Sequence, residues 1–226
     1  MTGASRDFGR ELYPFLYASS SDGAAQTDLL AAVQRSTLEK CSDVIALRRE
    51  LVGEYEAELM SAAAAAAARF DAGGKLLAFG NGGSATDADD AAADCVSPPV
   101  AGWRSLPALS LPADGATVTA VGNDVGLEHV FVRQIVAFGE RGDIALGIST
   151  SGNSPNVVAG LAEARRRGML TVAFAGYDGG AMLRDGKADY CFVARREFVP
   201  RIQEGHATLW HVFLELVQGA LNAPAR

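Results

Sequence analysis

Four side-chain hydroxyls fall within six consecutive positions of this 226-residue chain: Ser149, Thr150, Ser151 and Ser154. Gly152 lies among them and lets the backbone turn tightly. Hydroxyls and free backbone N–H groups that converge at the start of a helix form a cradle for an anion, because the helix dipole puts positive charge at that end. Ser154 precedes Pro155, a favoured first helical residue, so Ser154 also reads as a helix cap. One capping serine is ordinary. Four hydroxyls and a glycine point to a phosphate. A second small-residue loop, Gly80-Asn81-Gly82-Gly83-Ser84, offers Asn81, Gly82 and Ser84 to the polar body of the same ligand. It lacks the GxGxxG spacing of a dinucleotide site, and no Walker lysine follows it. Together the loops predict a sugar phosphate.

Loops of this kind work only if a strand delivers them and a helix follows. The apolar run Leu76–Phe79 precedes the first loop and Ile144–Ile148 precedes the second. From residue 75 onward short apolar runs alternate with helical patterns. Strands are predicted near 75–79, 106–111, 143–148, 170–175 and 190–193, and helices near 84–96, 115–121, 127–138, 154–167 and 201–222. Such alternation predicts an α/β fold with a parallel sheet and helices on both faces, and ligands there bind beyond the carboxyl ends of the strands. Upstream, residues 25–70 read as helix, with a break expected at Gly53 and an unbroken alanine run from Ala62 to Ala68. That is more apolar helix than one small sheet needs, which points to a helical bundle between subunits. Residues 1–24 form a loosely built extension with an aromatic patch from Phe8 to Tyr17, and residues 25–226 form one domain.

The segments GNGGS (80–84), GNDVG (122–126), GISTSGNS (147–154) and RIQEGHATLWH (201–211) resemble the sugar isomerase (SIS) domain family. Within it they are most similar to the phosphoheptose isomerase branch, from about residue 30 to 220. The resemblance implies a flavodoxin-like parallel sheet with an N-terminal helical extension, a four-helix core shared between subunits, and a homotetramer. It also implies an interconversion of sedoheptulose 7-phosphate and D-glycero-D-manno-heptose 7-phosphate.

Aldose–ketose isomerisation through an enediol needs a base for a carbon-bound proton and an acid for the two oxygens. The resemblance puts the base at Asp94, where the branch has glutamate, and the acid at His211. It implies substrate contacts from Gln203 and Asp114, with Ser149, Thr150, Ser151 and Ser154 as the phosphate cradle. Many of these enzymes carry zinc. The corresponding positions here are Asp90, Asp94, Gln203 and His211, an oxygen-rich set that is less zinc-selective than one with two histidines. Asp87, Asp89 and Asp90 also suit the solvated N-terminal half of a helix. Other departures from the branch are Pro98 for an arginine and Pro200 for an aspartate. All of these changes fall at the reactive end of the site, not at the phosphate end.

A net charge of −7 and a pI near 5.0 argue against nonspecific nucleic-acid binding. No run is long enough to span a bilayer, and the N-terminus does not read as a signal peptide. Cys41, Cys95 and Cys191, odd in number and far apart, read as buried, reduced thiols of a cytoplasmic protein. The altered reactive end keeps a second reading open. In that reading the protein is a noncatalytic sugar-phosphate sensor or protein-binding regulator of the same fold.

Overall fold

The computed structural model describes the backbone of residues 23–222 and the side chains of residues 28–222. The aromatic patch from Phe8 to Tyr17 lies outside the described residues. The chain divides into two compact units at Asp43/Val44, inside its first helix.

The first unit's described part is the beginning of α1 (Gly23–Asp71), where Leu29, Leu30, Val33 and Leu38 are exposed. The second unit is a three-layer α/β structure. Its strands are β1 (Leu76–Gly80), β2 (Ala108–Ser110), β3 (Ile144–Ser149), β4 (Leu170–Gly176) and β5 (Tyr190–Ala194). They form one parallel sheet in the order β2-β1-β3-β4-β5. The helices between them are α2 (Gly83–Val96), α3 (Gly115–Asp124), α4 (Val130–Phe138), α5 (Pro155–Arg166) and α6 (Gly180–Arg184), and α7 (Val199–Asn222) follows β5. Parallel strands need crossovers, and these helices supply them while covering both faces.

Alternation along the strands sorts the core into two halves. Leu76, Ala78, Ile144, Leu146, Ile148, Val172, Phe174 and Phe192 pack beneath α2, α7 and the end of α1. There Ala62, Ala63 and Ala66 are buried, and small side chains let that helix come close. Leu77, Phe79, Ala145, Ala173, Ala175 and Val193 point to the other half, with Phe131, Ile135, Val157, Leu161 and Met182 from α4, α5 and α6. The sheet's amino edge is pinned by Asp143, which is buried. Its carboxylate accepts from Lys75 N at 3.0 Å, Lys75 Nζ at 2.7 Å and Glu140 N at 2.8 Å.

Two local expectations need correction. The break in α1 falls at Tyr55 (φ −112°, ψ 16°), not at Gly53. Tyr55 accepts from Val193 N at 3.3 Å and sets its ring edge-on to Phe192 at 5.4 Å, so a tertiary contact places the kink. Cys41 is exposed, whereas Cys95 is buried and Cys191 half-buried.

Candidate functional site at the carboxyl edge

Ser149 ends β3 and Ser154 stands immediately before α5, so the hydroxyl loop lies at the carboxyl edge of the sheet. Ser149 Oγ is 2.9 Å from Ser154 Oγ and 3.5 Å from Ser151 Oγ. Ser154 occupies the cap position, but its side chain makes no capping bond. The hydroxyls therefore face one another at a helix start instead of closing it, as an anion cradle requires. The loop is braced from outside. Asn153 receives Ala181 N at 2.9 Å and donates to the Ser151 carbonyl at 2.8 Å. Gly152 has φ 62°, and a Cβ there would run into the Gly179 carbonyl.

The Gly80–Ser84 loop is tied to this cradle. Asn81 and Asn156 exchange amide hydrogen bonds, both 2.8 Å, and Asn156 Oδ1 also accepts from Val157 N at 3.0 Å. The Asn81 amide is thus engaged by the protein, and its part in the site is to join two loops. Gly82 (φ 56°) is the cap position of α2, and Ser84 is buried in the first turn. The Gln203 amide lies directly against Gly83, in space that any side chain would fill.

Asp87, one turn further along α2, is a group the sequence reading left among solvated acids. Its Oδ2 is buried and has no hydrogen-bond partner. Burial first, and the Asp90 charge second, push its carboxyl up to about 6, while the Gln203 amide acts in the opposite sense. The overlooked signal is its spacing: seven residues before Asp94, it shares a helix face with that residue.

Two turns beyond Asp87, Asp94 faces α7. Its Oδ2 accepts from Trp210 Nε1 at 2.9 Å and stands 3.9 Å from His211 Nε2. The His211 side chain is 69% exposed and that of Asp94 24%. The two side chains that the resemblance implies as base and acid are thus close together, on facing helices. Asp114 caps α3 instead of standing free. Thr117 donates its backbone N–H at 3.1 Å and its hydroxyl at 2.6 Å, and these two bonds hold the carboxyl below its usual range.

An SIS domain profile matches residues 41–176, more than half of the chain. The chain belongs to the SIS domain family, in its phosphoheptose isomerase branch. The phosphoheptose isomerase of Thermodesulfovibrio yellowstonii is 46% identical over 149 residues, covering 66% of this chain and 73% of the relative. That of Citrifermentans bemidjiense is 39% identical over 193 residues, 85% of this chain and 97% of the relative. The solved structure of a phosphoheptose isomerase from Neisseria gonorrhoeae superposes with a TM-score of 0.73 at 35% identity, over 83% of this chain and 99% of that one.

This SIS domain does not gather the metal set that the resemblance implies. Among the described residues, no group of three or more His, Cys, Asp or Glu side chains is arranged to hold a metal ion. Asp94 Oδ2 is taken by an indole N–H, and Asp90 is exposed without joining Asp94 and His211. Asp90, Asp94, Gln203 and His211 therefore do not fit zinc in this chain, and no chemical step is assigned to a metal. The arginine runs are placed differently from one another. Arg166 is paired with Glu163, while Arg195 and Arg196 line a cavity of about 440 Å³ with Tyr177, Asp178 and Glu197 at the carboxyl edge.

Proposed function

We propose that this SIS protein is an aldose–ketose isomerase that interconverts sedoheptulose 7-phosphate and D-glycero-D-manno-heptose 7-phosphate through an enediol. The observation that carries this reading is the Asp94–His211 pair, set between α7 and α2, the helix that begins at the Gly80–Ser84 loop tied to the phosphate cradle. From Gln203 to His211 the helix rises about 12 Å, and from Asp87 to Asp94 about 10 Å. An extended sugar phosphate with its phosphate at Ser149, Thr150, Ser151 and Ser154 would then run toward the pair.

In this mechanism the α5 N-terminus and the serine hydroxyls hold the phosphate. Binding energy from that remote group positions the reacting carbons. Asp94 takes the proton from the carbon beside the carbonyl and returns it to the neighbouring carbon. His211 moves protons between the two oxygens, work suited to an imidazole near neutral pH. Gln203, lodged against Gly83, orients the hydroxyls between the two ends.

The protein acts as a homotetramer in this reading. Support comes from apolar side chains left exposed on α1, among them Leu30 at 65% and Leu38 at 62%. Exposed apolar rows of this kind mark association surfaces. A cytoplasmic location is supported by the absence, among the described residues, of any helix long and apolar enough to cross a membrane. The thiols of Cys41, Cys95 and Cys191 are all free, which agrees with it.

The test is proton exchange followed by NMR with sedoheptulose 7-phosphate in D₂O. Deuterium at the carbon next to the carbonyl, together with new aldose, supports the reading, and Asp94→Asn should abolish both while the sugar phosphate still binds. Binding without exchange in the unaltered protein would reject catalysis and favour the sensor reading.

A further inference from the structure

Trp210 is the residue whose contacts the reaction so far leaves unused. Its indole is buried, 5% exposed, and packs 6.0 Å from the Phe213 ring, so it is a donor with little freedom to move. Its N–H is spent on Asp94 Oδ2 at 2.9 Å. His211 Nε2 approaches that same oxygen from the exposed side, at 3.9 Å. Asp94 Oδ1 has no hydrogen-bond partner among the described residues. The two oxygens of one carboxylate are therefore inequivalent, and the indole makes them so.

We propose that Trp210 is a positioning residue for the isomerase, holding Asp94 by Oδ2 so that Oδ1 faces substrate and the base stays apart from His211. This rests on the reading of Asp94 as base under Proposed function. The physical need is plain. The resemblance implies a glutamate at this position, and Asp94 is one methylene shorter, so its carboxylate has less reach and a smaller margin for misplacement. A carboxylate on a solvent-facing rim would rotate freely. Opposite an exposed imidazole it would close into a contact ion pair, taking both the acid and the base out of use. A hydrogen bond from a buried, neutral indole holds the carboxylate with no competing charge. Such a donor can supply orientation of the kind that rate depends on, since errors of about 1 Å cost about 10²-fold.

Trp210→Phe removes the N–H and keeps an aromatic ring against Phe213. The expected result is a kcat about 10-fold lower, with KM held within about twofold, since the bond orients the base and does not touch the phosphate end. An unchanged kcat, or a loss carried wholly by KM, overturns the positioning role. A second measurement leaves the indole in place and does not depend on Trp210→Phe folding. The chain has two tryptophans, so the indole N–H signal of ¹⁵N-labelled protein can be assigned against Trp103. Asp94→Asn should shift the Trp210 signal and leave that of Trp103 in place, and an unmoved Trp210 signal overturns the bond itself. Wild-type protein without turnover overturns the isomerase reading and this role with it. Wild-type turnover matched by Trp210→Phe overturns the role alone.

Discussion

Gly83 separates function from stability more cleanly than any other residue of the site. The three atoms nearest to a methyl group there all belong to the end of the Gln203 side chain, which can swing away. Backbone strain is absent, since Gly83 is not among the positive-φ glycines. Gly83→Ala should therefore fold normally, and alanine in a helix is favoured by up to about 1 kcal/mol over glycine. The displaced Gln203 amide should nevertheless cost the enzyme substrate binding, with kcat/KM falling about 10-fold or more. Steady-state kinetics beside a thermal melt checks this. Parallel loss of both activity and melting temperature would mean that the glycine is needed for folding. At this scale the sequence announces some groups and hides others. Four hydroxyls in six positions are visible because their density exceeds what capping needs. Asp87 is invisible because its burial depends on α7 covering α2, and no local pattern encodes that cover.

The two ligand loops belong to different strands, β1 and β3, and one side-chain pair makes them a unit. Asn156 is 3% exposed and already gives its oxygen to Val157 N, so losing Asn81 leaves its amide N–H₂ without its partner. Asn81→Ala should cost about 1–3 kcal/mol, the range for a stranded buried polar group. It should also weaken sugar-phosphate affinity by releasing the start of α5. Urea unfolding and a binding titration read the two effects separately, and an unchanged affinity would show that the cradle needs no link to β1. The parallel sheet and its crossovers follow from apolar runs ending in glycine or serine, and all five strands lie within two residues of the runs that predict them. The most shortened is β2, which pairs at only three positions, Ala108–Ser110, of the run 106–111. The five-residue α6 escapes notice because so short a helix shows no periodicity. The kink at Tyr55 escapes for a different reason: the ring is held by Val193 and Phe192, more than a hundred positions away, while Gly53 faces open space that a Cβ would not fill.

At the scale of the whole molecule, two ionisable groups on neighbouring helices, His206 buried and Asp87 half-buried, pull stability in opposite directions with pH. His206 on α7 is 1% exposed, with Nε2 2.8 Å from the Ala175 carbonyl and Nδ1 buried without a partner. Burial lowers its pKa from 6.5 to about 4, the Ala175 bond acting weakly the other way. The unfolded chain thus takes up this proton before the folded one does. The associated stability is fully present above about pH 6.5 and is lost as pH falls toward about 4, in all roughly 3 kcal/mol. Asp87 has the opposite sign. Its carboxyl is raised from 3.8 to about 6, so the folded state holds a proton that the unfolded chain has released. That contribution is present at low pH and is lost as pH rises through about 6. Across the shared window the two slopes oppose each other, so the wild-type protein should show a shallow acid dependence. Removing either group should expose the other. Asp87→Asn should lose stability steeply between about pH 6.5 and about pH 4, and His206→Gln should instead gain stability as pH falls through about 6. Urea unfolding of all three proteins at about pH 5 and about pH 7 decides the matter, at one protein concentration because association with other subunits would add its own stabilisation. Equal slopes in wild type and Asp87→Asn would mean that water reaches the Asp87 carboxylate and that the site between α2 and α7 is wetter than its packing implies.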